Sequence, residues 1–182
     1  MNTYQKRDLR EISLTQAWKH FTSDEVVVML TAFKRELPPV ESQDLNYWIA
    51  RNLRVEGFGY FYANGFFRDT CKHENNVDVQ EDCVFAIGGK TDEVKLVRLA
   101  HDLANKHELD AILVKESDGT VYFLKADGLR NRVDEKMSPS TIGKLYSQLR
   151  NQKSTDANSF VFEGAGTDPN NIGKFMRSIR EK

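Results

Sequence analysis

Val26-Val27-Val28-Met29-Leu30-Thr31-Ala32-Phe33 is the stretch on which the fold turns. It is apolar at odd and even positions alike, so both faces of a strand formed here need cover, and that predicts a central strand between two layers. Upstream, Ser13-x-x-Gln16 fits a capping box over a helix with Leu14, Ala17, Trp18 and Phe21 on its apolar side. The polar residues 1–12 before it read as a flexible arm. Downstream, Pro38-Pro39 interrupts the chain, and Leu45, Trp48, Ile49 and Leu53 form the stripe of a second helix that ends at Gly57.

Further along, Phe58 to Phe67 is rich in aromatics and contains Asn64-Gly65, the pair that supplies positive φ at both central positions of a type I′ turn. This predicts a β-hairpin, then a polar loop over Cys71–Gln80 and a strand over Asp82–Ile87. Gly88-Gly89 leads to Thr91-Asp92, a candidate N-cap for a helix with Leu96, Leu99, Ala100 and Leu103 inward. Asp110–Lys115 and Thr120–Lys125 read as strands joined across Ser117-Asp118-Gly119, a second hairpin. After a turn-like stretch from Ala126 to Met137, two near-copies close the chain: Ser138-Pro139-Ser140-Thr141-Ile142-Gly143-Lys144-Leu145 and Asp168-Pro169-Asn170-Asn171-Ile172-Gly173-Lys174-Phe175. Each opens with an N-cap residue and a proline, then spaces apolar residues as an amphipathic helix does. With a short strand at Ser159–Glu163 between them, residues 138–182 form a helix-strand-helix ending. The expectation is a single α+β domain over 1–182, a mixed sheet with two β-hairpins packed by about five helices.

The 182 residues suffice for a core without disulfides or metals. Net charge is −1, with ten Lys+Arg against seven Asp+Glu in residues 127–182, an asymmetry too mild for a nucleic-acid tail. Two cysteines, Cys71 and Cys83, no signal-like leader and no long apolar run point to the cytoplasm and to no membrane.

Catalytic motifs are weak. Ala86-Ile87-Gly88-Gly89-Lys90-Thr91 resembles the end of a P-loop, but Val84 stands where the first glycine of that motif belongs. A tight strand-to-helix turn is the better account. Cys71, His73, Glu74 and Cys83 lack the paired spacing of structural zinc ligands, so no metal is expected. The remaining histidines, His20, His101 and His107, have no partners that the sequence can name. Glu93-Val94-Lys95, the Glu-x-Lys that a nuclease core would carry on a strand, falls on a predicted helix. No cofactor is implied. Lys144, Arg150, Lys174, Arg177 and Arg180 on the echoed helices form a candidate phosphate-following stripe, with Tyr60 and Tyr62 as candidate stacking surfaces. A solvated helix face is the blander reading of the same cations.

From Leu30 to Tyr60 the chain resembles a family of short uncharacterised bacteriophage and bacterial proteins. The residues that carry the resemblance are Thr31-Ala32-Phe33-Lys34-Arg35, Glu41-Ser42, Leu53 and Gly57-Phe58-Gly59-Tyr60, followed by Glu81-Asp82-Cys83-Val84, Leu109-Asp110-Ala111-Ile112-Leu113, and Tyr146-Ser147-x-Leu149 with Phe160-Val161-Phe162-Glu163. Ser42 stands in place of the family's usual asparagine and Cys83 in place of its usual serine. The resemblance implies a phage accessory protein inside an infected bacterium. The function expected from it is non-catalytic binding of a host protein through the aromatic hairpin, with Tyr62, Phe66 and Phe67 as anchors, and the basic C-terminal helices. Nucleic-acid binding or processing by those helices is the alternative. A third possibility is a small hydrolase centred on Arg35, Glu41 and Glu81, where Arg35 pairs with an acid to fasten a corner or joins the acids in lining a pocket.

Overall fold

The structure is a computed structural model that describes residues 14–32, 38–69, 77–135, 137–138, 141–142, 144–145 and 161–162. Seven strands form one sheet. They are β1 (Val26–Leu30), β2 (Gly59–Asp69), β3 (Val77–Gly88), β4 (Ala111–Lys115), β5 (Val121–Lys125), β6 (Arg130–Arg132) and β7 (Val161–Phe162), in the order β6-β5-β4-β1-β3-β2-β7. Every neighbouring pair is antiparallel, so the sheet is not mixed as expected. β1 lies at the centre between β3 and β4, and all five of its side chains are buried.

Alternation along these strands divides the core into two layers. Val26, Val28, Leu30, Val84, Ala86, Ile112 and Val114 face the helices α2 (Pro39–Val55) and α3 (Glu93–Lys106), which contribute Ile49, Leu53, Leu96 and Leu103. Val27, Met29, Phe61, Phe85 and Leu113 line the opposite face, where α1 (Leu14–Thr22) supplies Phe21 and the C-terminal region supplies Ile142 and Leu145. Phe61 stacks on Phe85 with centroids 4.8 Å apart.

Three helices, rather than about five, are formed among the described residues, together with a short 3₁₀ turn at Lys90–Asp92. Thr141, Ile142, Lys144 and Leu145 are helical where the first echoed segment falls, and Ser138 caps them: its Oγ accepts from the Thr141 amide at 3.1 Å. Ile142 and Leu145 point inward and Lys144 outward. The second echo, from Asp168, lies outside the described residues.

The hairpin predicted at Asn64-Gly65 does not form. β2 runs straight through both residues, pairing Asn64 with Asp82 and Gly65 with Glu81 in an eleven-residue ladder with β3. The segment Val77–Gln80, expected in a loop, belongs to β3. The hairpin at Ser117-Asp118-Gly119 is formed between β4 and β5, with Gly119 at φ 90° as the turn demands. A further hairpin, β5–β6, occupies part of the stretch read as turn-like.

Candidate functional site at the carboxyl end of the central strand

β1 ends at Leu30, opposite Val84 of β3, while the β2–β3 ribbon continues past it as far as Asp69 and Val77. Thr31 and Ala32 leave the strand still buried, and α2 starts above them. Pro39 occupies the first turn of α2, where a missing N–H costs nothing, and no side chain among the described residues caps that turn. At its other end the Phe58 amide donates to Leu53 O and the Gly57 amide to Arg54 O, both at 3.0 Å, with Gly57 at φ 90°.

The buried stripe of α2 is Ser42, Asn46, Ile49, Ala50 and Leu53. Its first two members are polar. The Ala32 amide donates to Asn46 Oδ1 at 2.8 Å, which fixes the exit of the chain from β1. One turn earlier, Ser42 is wholly buried and its Oγ has no hydrogen-bond partner among the described residues. Such a group costs about 1–3 kcal/mol of desolvation when left unmade. Cys83, on β3, packs in the opposite layer with Phe61 and Phe85, and its thiol donates weakly to Leu30 O at 3.4 Å. Trp48, predicted inward, is half exposed, because Asn46 rather than Trp48 continues the stripe.

The amino end of β1 is polar in a different way. Lys115, on β4 opposite Val27, is 2% exposed, and its ammonium donates to Ser23 O and, at 2.7 Å, to Glu25 O. Burial pulls the Lys115 pKa down, opposed by the charges of Glu25 and Asp24. His20 Nδ1 meets Glu25 Oε2 at 2.7 Å, Ser23 Oγ donates to the same oxygen at 3.0 Å, and the imidazole stacks on Phe61 at 5.7 Å. Hydrogen bonding from His20 is the main reason that the Glu25 carboxyl titrates below its ordinary range, with Ser23 and the charges of His20 and Lys115 adding to it against a smaller opposing effect of burial.

Elsewhere, Tyr122 donates to Glu116 Oε1 at 2.8 Å beneath the Arg130 guanidinium, and burial with that carboxylate raises the Tyr122 pKa. Glu93 accepts from the Ser117 amide and hydroxyl at 3.0 and 2.7 Å, tying α3 to the β4–β5 turn. A Cβ on Gly88 would approach Leu96 Cδ2 to 3.1 Å, so the Gly88-Gly89 turn reflects close packing. No group of three His, Cys, Asp or Glu is placed to hold a metal ion among the described residues.

The sequence-predicted residues scatter over this frame. Glu41 is exposed in the first turn of α2, and Glu81 lies on β3 three positions beyond Val84, the last residue paired with β1. Arg35 lies outside the described residues. Tyr62 is buried against the α2–α3 layer and meets Tyr60 edge-on at 5.7 Å, so it does not present an exposed stacking face. Phe66 and Phe67 are consecutive in β2 rather than at a hairpin tip. Lys144 is bonded to Glu135 at 2.6 Å, and Arg150, Lys174, Arg177 and Arg180 lie outside the described residues. Thr31, Ser42 and Asn46 are the buried polar residues of the β1 exit and α2, and the signal for the latter two was their spacing ahead of Ile49 and Leu53.

No protein-family model matches the chain, and no curated protein matches it in sequence. Among solved structures, the chain resembles a phage SAM lyase in complex with S-methyl-5′-thioadenosine, at 10% identity and a TM-score of 0.28, over 63% of this chain and 91% of the other. The expectation was a non-catalytic host-binding protein; the resembling chain is instead named as an enzyme, and a purely binding role is not carried forward. At that TM-score the likeness brings no activity with it. No helix among the described residues is long and apolar enough to cross a membrane.

Proposed function

We propose that the protein is an enzyme acting on a small polar substrate at the polar cluster beside the end of β1. The single observation that carries this reading is the Ser42 hydroxyl, wholly buried in the first turn of α2 and without a hydrogen-bond partner among the described residues. Proteins seldom leave such a group unpaired unless a ligand or a mechanism uses it. The uncapped first turn adds backbone amides that favour an electron-rich group, as helix N-termini do. Asn46 holds the strand exit in place by accepting from the Ala32 amide.

The test is direct. Purified protein is incubated with a panel of small charged metabolites, and consumption is followed by mass spectrometry; S-adenosylmethionine, named in the resembling enzyme, belongs in that panel. Turnover should be impaired in Ser42→Ala, with a melting temperature close to wild type. Turnover undiminished in Ser42→Ala, or no turnover of any compound, rejects the reading.

A further inference from the structure

Three of the five large apolar side chains exposed among the described residues lie on one helix: Val40, Trp48 and Val55 of α2, at 69, 50 and 76%. At about 100° per residue they fall within a sector of about 80°, away from the buried Ile49 and Leu53. Asp44 and Arg51 share that sector and are exposed, with the Arg51 guanidinium 5.1 Å from the Trp48 ring centroid. Acids occupy the first half of the face (Glu41, Asp44) and bases the second (Arg51, Arg54). The helix dipole accounts for that order of charge. It does not account for apolar groups held in water at both ends and at the middle.

A twofold axis midway along α2, between Tyr47 and Trp48, exchanges Val40 with Val55 and Asp44 with Arg51. The face is therefore complementary to itself. With a second α2 laid antiparallel, Asp44 of each copy faces Arg51 of the other, Val40 lies beside Val55, and the two Trp48 side chains meet at the axis. We infer that the outer face of α2 is an isologous dimer interface and that its occupant is a second copy of this chain. Self-complementarity in both charge and apolar position favours a copy over an unrelated partner, which would need only one of the two halves. The seam spans about 22 Å between Val40 and Val55. Ser42 and Asn46 lie on the other side of the helix, toward the sheet, so the interface stands or falls apart from the enzymatic reading.

Sedimentation velocity of the full chain over a concentration series tests the inference, with circular dichroism to verify the fold of each variant. The wild type should dimerise, and Asp44→Arg or Arg51→Asp, each of which sets two like charges against each other twice, should raise the dissociation constant by about tenfold or more. The double variant, Asp44→Arg with Arg51→Asp, restores the pairing in reverse and should recover the dimer. Trp48→Ala, at the axis, gives an independent loss should a charge variant misfold. A wild type that stays monomeric, a dimer indifferent to the single swaps, or a double variant that remains monomeric overturns it.

Discussion

The two ends of β1 pose the same physical problem and meet it differently. At the amino end a nearly buried ammonium, Lys115, is held by the carbonyls of Ser23 and Glu25, and the Glu25 carboxylate gathers His20 and Ser23. The charge is matched by hydrogen bonds from one connected turn, so this end reads as a fastener between α1, β1 and β4. At the carboxyl end the groups are neutral and equally buried, but one of them, Ser42 Oγ, is left without a partner. Burial of polar groups alone does not separate a fastener from a site; the state of their hydrogen bonds does.

That contrast breaks if Lys115 is expendable. Replacing Lys115 with Met removes the donor to two carbonyls and is expected to cost about 3 kcal/mol in urea unfolding, while any turnover by the folded fraction stays at the wild-type level. A cost near zero would show that the amino end fastens nothing. Next in size, Asn46→Ala deprives the buried Ala32 amide of its acceptor and should cost about 2 kcal/mol, with turnover falling as well, because the strand exit beside Ser42 loses its anchor. Ser42→Ala should move stability the other way. Removing an unpaired buried hydroxyl while keeping the side chain's volume is expected to leave the protein unchanged or more stable by up to about 1 kcal/mol, and to impair turnover. A clear destabilisation would mean that the hydroxyl is bonded in solution, and the distinction between the two ends would lapse.

How much of this was legible in sequence follows from how local each signal is. β1 was readable because Val26 to Leu30 is apolar at both parities, which only a doubly covered strand requires. The β4–β5 hairpin was readable because Ser117-Asp118-Gly119 needs no information from elsewhere. Asn64-Gly65 misled for the converse reason: its turn propensity is local, whereas the β2–β3 ladder extends over eleven pairs that a turn at its centre would abolish. The buried polar positions were hidden in α2, where periodicity assigns Leu45 and Trp48 inward because they are apolar, although only Leu45 of that pair packs on the core. The buried positions 42, 46, 49, 50 and 53 have helical spacing too, but the first two are polar, and a pattern scored on hydrophobicity passes over them. Lys115 was hidden in the same manner, as a cation at the end of the apolar run Ala111–Val114.

The smallest effect sharpens the comparison through pH. Hydrogen bonds from His20 and Ser23 hold the Glu25 carboxyl below its ordinary value of 4.5, so the folded state binds the Glu25 proton more weakly than the unfolded chain does. Its contribution to stability is therefore complete above pH 4.5 and disappears as pH falls through the lowered folded value. Because the side chain is 38% exposed, solvent screening limits this contribution to about 0.5 kcal/mol or less. Glu25→Gln should lower stability at neutral pH by that small amount and converge on the wild type in acid, as read from urea midpoints between neutrality and pH 3. Nothing in the carboxyl-end cluster of Thr31, Ser42 and Asn46 titrates, so Ser42→Ala should shift the whole curve by a constant. Were the Ser42→Ala difference also to fade in acid, a charged group would have to lie against that hydroxyl.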